Sequence, residues 1–358
     1  MKSRLISYLS KNHLMTDRIP KGCELCLKGA KLVLFVTGLC DRWCYYCPLG
    51  ENRKGRDVVY ADEILVEKDL DILLEGRAID AEGTGMTGGD PLIRLNRTLR
   101  YIRILKDFFG EEHHIHLYTN GMYASKDALM RLKEAGLDEI RFHTTFSNRD
   151  KIRDAKILGL CAGAEVPAIP GEEPQLRDLV LYLQSVGADF LNINQLEFTP
   201  QNSYQLKERG FDLEGPAAVK GSEETARRVI QWAESEGIEL PIHYCSSSAK
   251  DNLQLRMRLI RRLKNVIRPY EEVTDDGLVG SLLVIPERIS PNELRRLLIL
   301  ELGISPHMSR VSDDGRALII HRKFLEGALK FSPNSRVFYV KEYPTGTRER
   351  IAKTPLRY

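Results

Sequence analysis

Between Lys31 and about Cys245 the chain alternates short continuous apolar runs with longer stretches whose apolar residues recur at helical spacing. The continuous runs predict strands at Leu32–Thr37, Ile79–Thr87, Ile115–Thr119, Glu139–Thr144, Ala164–Ile169 and Phe190–Phe198. The stretches between them predict helices, among them Leu92–Phe109, Lys126–Ala135, Gln175–Val186 and Glu223–Glu236. Gly110, Gly136, Gly187 and Gly237 stand where those helices should end, as left-handed caps require. Strands alternating with helices make this an α/β chain of parallel βαβ units, either a barrel or an open doubly wound sheet.

Two loops break the regularity. Pro48–Asp62 is polar and glycine-bearing, and Thr199–Ser222 carries Pro200, Gly210, Gly215, Pro216 and Gly221. Each reads as a functional lid or as a flexible insertion. After Asp251 the texture changes: Leu253–Arg268 predicts a very basic helix, and strand-like runs follow at Val279–Ile285, Ala317–His321 and Val337–Lys341. The expected division is an N-terminal extension (1–29), a central domain (30–252) and a small basic α/β domain (253–358).

With 42% hydrophobic and 29% charged residues over 358 positions, the chain can bury a substantial core, which excludes disorder. No apolar run reaches the roughly 18 residues that cross a bilayer, and the basic start has no signal-peptide core. A cytoplasmic location without a membrane partner is therefore expected. The net charge of +3 hides an asymmetry: residues 255–358 hold 20 Lys and Arg against 12 Asp and Glu. Within them, Arg256, Arg258, Arg261, Arg262 and Lys264 surround an apolar stripe at helical spacing. This is either an amphipathic helix with a basic solvated face or part of a surface for RNA or an acidic protein, with Arg295, Arg296, Arg322 and Lys323 adding charge.

Five of the seven cysteines fall within 25 residues: Cys23, Cys26, Cys40, Cys44 and Cys47. Such clustering points to metal or redox chemistry rather than a disulfide framework. Three thiolates spaced as Cys40-x-x-x-Cys44-x-x-Cys47 can wrap one corner of an iron–sulfur cubane and leave the fourth iron without a cysteine. A zinc site would need a fourth ligand nearby and has no use for the aromatic Tyr46.

The motif Cys40-x-x-x-Cys44-x-Tyr46-Cys47, on the loop after the first strand, resembles the signature of radical S-adenosylmethionine (radical SAM) enzymes. Gly88-Gly89-Asp90-Pro91 is similar to the family's Gly-Gly-Glu-Pro segment, with Asp for Glu. The resemblance spans roughly residues 30–245 and is nearest to proteins related to the pyruvate formate-lyase activating enzyme. It implies a partial (βα)6 barrel of TIM type. It also implies a [4Fe-4S] cluster on Cys40, Cys44 and Cys47 that reductively cleaves S-adenosylmethionine, giving a 5′-deoxyadenosyl radical for hydrogen abstraction. The enzyme would be an oxidoreductase that needs an external electron donor. Asp90 would pair with the methionine amino group, with Gly88 and Gly89 admitting close backbone approach.

Other polar residues at strand ends are candidates for cofactor binding or ordinary polar positions: Thr119, Asn120, His143, Thr144, Glu165, Asn194 and Glu197. His113, His114 and His116 begin a strand and read as solvent or packing residues. Cys161 reads as a small buried hydrophobe. Cys23-x-x-Cys26 with His243 and Cys245 offers three thiolates and one imidazole, a set suited to structural zinc. Alternatively, Cys23 and Cys26 are a redox pair or hold a second iron–sulfur cluster, and His243 and Cys245 are simply buried.

The substrate is not specified by these residues. The resemblance favours radical installation on a protein and the basic C-terminal region favours RNA modification. A non-catalytic iron–sulfur electron carrier is the third reading, and Gly88-Gly89-Asp90 argues against it.

Overall fold

A computed structural model describes residues 13–15, 18–144 and 148–357. It divides into two compact units, Met1–Leu255 and Arg256–Tyr358.

In the first unit the elements run β1 (His13–Met15), α1 (Lys21–Leu27), β2 (Lys31–Thr37), α2 (Asp69–Ala78), β3 (Gly83–Gly88), α3 (Leu95–Phe109), β4 (His114–Thr119), α4 (Lys126–Glu134) and β5 (Glu139–Phe142). They continue with α5 (Asp150–Ile157), β6 (Cys161–Ala168), α6 (Glu173–Ser185), β7 (Phe190–Gln195), α7 (Ser222–Ser235) and β8 (Ile242–Cys245). Strands β2 to β8 lie side by side in chain order, all parallel. The expected six strands are present, and β8 is a seventh. The N-terminal extension joins the same sheet, because β1 pairs antiparallel with β8, His13 opposite Cys245 and Met15 opposite His243.

Strand alternation sorts the side chains. Leu32, Leu34, Val36, Ile115, Leu117, Ile140, Phe142, Ala162, Ala164, Val166, Leu191 and Ile193 join one buried cluster with the helices. Among the intervening positions, His116, Tyr118, Glu139, Arg141, Glu165 and Asn192 are polar and lie on the other face of the strands. Helix α1 packs against this interior, since a Cβ on Gly22 would lie 2.6 Å from both the Arg141 guanidinium and the His116 ring.

The Leu92–Phe109 helix is interrupted. Pro91–Arg94 forms a 3-10 turn before α3, since Pro91 fits only a first turn. The expected strand Ile79–Thr87 begins at Gly83 because Ile79 still closes α2.

The second unit contains α8 (Arg256–Val266), β9 (Val279–Ile285), α9 (Pro291–Leu302), β10 (Ser309–Val311), β11 (Leu318–Ile320), α10 (Leu325–Phe331), β12 (Arg336–Glu342) and β13 (Arg350–Arg357). The antiparallel order β10-β11-β9-β12-β13 is a split βαβ arrangement with an added edge strand. Leu282, Val284, Leu318, Ile320 and Val337 pack on α9 and α10, and Leu283, Ile319 and Phe338 lie on the opposite face.

Candidate active site

Beyond Thr37 the chain turns at Gly38 into the loop bearing Cys40, Cys44 and Cys47. Three neighbours fix that loop. The tip of β3 donates from Gly89 N to Thr37 O at 2.8 Å and from Asp90 N to Leu39 O at 2.7 Å. This approach needs glycine: a Cβ on Gly89 would sit 2.1 Å from Leu39 O, and one on Gly88 (φ +150°) 2.2 Å from Thr37 O. On the other side Gly38 N donates to Arg56 O at 2.8 Å, and Asp57 accepts from Arg97 (2.6 Å), Thr37 Oγ1 (2.8 Å) and Arg94 (2.9 Å). The Arg97 hydrogen bond leads in holding the Asp57 carboxyl well below the usual carboxylate range. Third, Asn202 Nδ2 donates to Tyr46 O at 3.0 Å, while Tyr45 and Tyr46 pack on Ile169, Leu196, Leu206 and Val219. Both irregular loops thus serve as scaffold for the cysteine loop.

All three cysteines are free and partly exposed. Burial raises the Cys40 and Cys44 thiols above their ordinary pKa. Cys40 Sγ accepts from Arg42 N at 3.4 Å and from Asn120 Nδ2 at 3.7 Å. The loop borders a cavity of about 380 Å³, whose other walls include Tyr46, Gly88, Gly89, Thr119, Asn120, His143, Arg141, Glu165 and Asn194. That volume is in the range of ordinary small-molecule sites. The donor set fits a cubane: three half-exposed thiols on one short loop, with a cavity beside them for a ligand of the remaining iron.

Tyr46 and His143 form a fixed pair. The imidazole Nδ1 lies 3.2 Å from the Glu165 carbonyl and must donate to it, which leaves Nε2 to accept from the Tyr46 hydroxyl at 2.7 Å. Burial lowers the His143 pKa, favouring this neutral tautomer. Below them, Glu165 accepts from Arg141 (2.8 Å), Asn192 (2.9 Å) and Asn194 (2.9 Å). Burial opposes its charge, but Arg141 and the two amides prevail and bring the pKa down to about 2.

Asp90 departs from its expected role. Its carboxylate, fully buried, accepts from Leu92 N (2.9 Å), Thr119 Oγ1 (2.9 Å) and Asn120 N (2.9 Å), and it is absent from the cavity wall. It caps the Pro91–Arg94 turn and fixes the end of β4, while Gly88 and Gly89 themselves face the cavity. Thr144 lies outside the cavity, and Glu197 is held by Lys250 at 2.5 Å. His113 bonds Thr84 at 2.8 Å and His116 is fully buried, so both are packing residues. Cys161 begins β6, half-buried.

Arg141 is the site residue that sequence reading misses. Its 2% exposed side chain links Glu139, Glu165 and Cys23. The signal was available in Glu139, Arg141 and His143, polar at every second position of one strand.

The expected zinc set is not assembled. Among the described residues no three His, Cys, Asp or Glu side chains are placed to share one metal ion. Asn192 stands between Cys23 (3.1 Å) and His243 (3.3 Å), and Gln254 stands between Cys26 (2.8 Å) and Cys245 (3.5 Å). The two segments meet, but amides separate their donor atoms.

Residues 34–157 match the model of the radical SAM superfamily. A protein of Methanocaldococcus jannaschii, named as a glycyl-radical enzyme activating enzyme, is 43% identical over 286 residues, covering 76% of this chain and 74% of that protein. A GTP 3′,8-cyclase of Alkaliphilus oremlandii is 30% identical over 119 residues, 33% of this chain and 36% of that one. Among solved structures, Streptococcus suis SuiB bound to S-adenosylmethionine aligns at a TM-score of 0.42 and 14% identity, with 61% of this chain on 50% of that one. The chain thus spans about half the length of that structure. Among the described residues no helix is long and apolar enough to cross a membrane. With most of a long relative matched at 43% identity, the chain belongs to the radical SAM superfamily and is an enzyme of that class.

Proposed function

We propose that Cys40, Cys44 and Cys47 hold a [4Fe-4S] cluster, that S-adenosylmethionine binds against Gly88 and Gly89, and that the substrate is a protein. The observation that carries this reading is the three free, partly exposed thiols on one loop, bordering a cavity whose lining also includes Gly88 and Gly89. Held there and given one electron by an external donor, S-adenosylmethionine would part into methionine and a 5′-deoxyadenosyl radical able to take a substrate hydrogen. The chain's own residues position it. Tyr46, fixed by His143, lines the wall beside the cysteines, and Glu165, kept ionised by Arg141, presents a carboxylate at the cavity floor. The name of the Methanocaldococcus relative supports a glycyl-radical enzyme as the protein substrate.

Anaerobic reconstitution followed by dithionite and S-adenosylmethionine should yield 5′-deoxyadenosine, and Cys44→Ala should abolish it. Unchanged turnover in that variant would sink the assignment.

RNA as substrate is the second reading, favoured by one feature of the second unit. The open face of its sheet forms a groove in which Arg316, Arg336 and Lys353 stand beside the Arg310–Asp313 and Arg350–Glu342 pairs. It expects RNA affinity that falls steeply with salt, through counterion release, and that is lost on Arg316→Glu with Arg336→Glu. Salt-insensitive or absent binding leaves the protein substrate.

A further inference from the structure

We propose that the exposed patch around Trp43, on the cysteine loop, is the docking face for the electron donor, and that the donor is a small protein with an acidic surface. This role rests on Cys40, Cys44 and Cys47 being cluster ligands, and it adds the partner and its landing place.

Trp43 is 86% exposed, the most exposed large apolar side chain among the described residues. Apolar side chains scattered singly over a surface are ordinary. This one has company. The Tyr123 hydroxyl donates to Asp41, two positions before Trp43. That bond brings Tyr123 and its neighbour Met122, 42% and 55% exposed, to the same loop. Tryptophan, tyrosine and methionine are the residues that protein–protein interfaces concentrate.

Charge selects the partner. Residues 1–254 hold 33 Lys and Arg against 38 Asp and Glu, so the background is acidic. Residues 41–57 run against it, with Arg42, Arg53, Lys54 and Arg56 against Asp41, Glu51 and Asp57. Arg94 and Arg97 both bind Asp57, which brings the island to six cations and three anions. Lys54 Nζ lies 5.3 Å from the Trp43 ring centroid, and Arg56 is exposed. Burial raises the Cys44 thiol while Arg42 and Lys54 act the other way, so both cations are within electrostatic reach of that sulfur. A positive island with an aromatic centre steers and seats an acidic protein.

Position favours an electron carrier over the substrate. A substrate must bring its hydrogen into the cavity, whereas a carrier needs only to bring its redox centre near the cluster. Trp43 is joined to Cys44 by one peptide bond, so a protein seated on its ring stands beside a cluster ligand without entering the cavity. One electron leaves the reduced carrier and is taken up at the cluster, and no atom is transferred.

The probe is an acidic [2Fe-2S] ferredoxin. Oxidised and fluorescently labelled, it should bind the reconstituted chain with an affinity that falls as salt rises. Trp43→Ala should weaken binding about 30-fold, the scale of a hot-spot tryptophan. Arg56→Glu should slow association about tenfold at low salt and far less at high salt, with Arg56→Ala between it and the wild type. With reduced ferredoxin as the sole reductant, Arg56→Glu should form less 5′-deoxyadenosine. Dithionite needs no docking face and should give the wild-type amount. Ferredoxin that does not bind, binding unchanged in all three variants, or equal losses with the two reductants overturns the proposal. No 5′-deoxyadenosine from the wild type with dithionite would instead sink the reading of the cysteine loop, a result separate from the binding measurements.

Discussion

The Tyr46 hydroxyl lies 2.7 Å from His143 Nε2, and the far nitrogen of the same ring is committed to the Glu165 carbonyl. The residue just before the last cysteine of the loop is thereby tied to the end of β5 and the middle of β6. Tyr46→Phe should retain the packing on Leu196 and Leu206 while leaving His143 Nε2 buried without a donor. The expected loss is about 1–3 kcal/mol of stability, the usual cost of an unsatisfied buried group. Denaturant unfolding reads it, and reconstituted iron content should match the wild type.

Asp90 gathers three donors that would all be orphaned together. Asp90→Ala should destabilise the chain by about 3 kcal/mol. Asp90→Asn, which keeps one acceptor oxygen, should cost less. Because Asn120 links Asp90 to Cys40, the alanine variant should also bind iron less well. Loss of S-adenosylmethionine affinity with unchanged stability would mean instead that the carboxylate meets the ligand directly.

Acid should act through Glu165. Its folded pKa of about 2 lies below the unfolded value of about 4.3, so its contribution is complete above pH 4.3 and is lost as pH falls through 2. Between those limits the unfolded chain binds the proton more readily, and stability declines. In Glu165→Gln the slope of stability against pH in that window should flatten by up to one proton. An unchanged slope would show that other carboxylates dominate acid unfolding.

The strand runs and the cysteine triad were legible because each depends on local pattern: apolar continuity for β2 to β7, thiolate spacing for the loop. What escaped depends on distant pairing. β1 spans only three residues, too short to show a period, whereas Ile242–Cys245 reads as a strand-like run in the sequence and only its place in the sheet does not. They form by pairing, β1 against β8 and β8 beside β7. For Asp90 the sequence leaves the role open, because a carboxylate beside two glycines reads alike whether it turns to the cavity or into the turn behind it. Only the positions of Thr119 and Asn120, some thirty residues on, separate the two. Arg141 does not stand out in the sequence, because a charged residue within a strand is told from a solvent-facing one only when the opposite face is known to be buried too.

Gly89 provides the sharpest test of how the cysteine loop is held. Its φ is not in the left-handed region, so alanine would meet no backbone strain there; the obstacle is steric alone, Leu39 O at 2.1 Å from the added Cβ. Real Cβ contacts do not come so close, and both neighbours are backbone, so the loop itself must shift. Such a shift weakens the Asp90 N to Leu39 O bond and moves Cys40, the next residue. Gly89→Ala should therefore lower reconstituted iron on the cysteine loop while far-UV circular dichroism stays that of the wild type, since the sheet core lies elsewhere. Gly346→Ala, whose added Cβ meets nothing within 4 Å, is the matched control and should change neither. Full iron occupancy in Gly89→Ala would mean that the loop is positioned by its contacts with Arg56 and Asn202 rather than by the tip of β3.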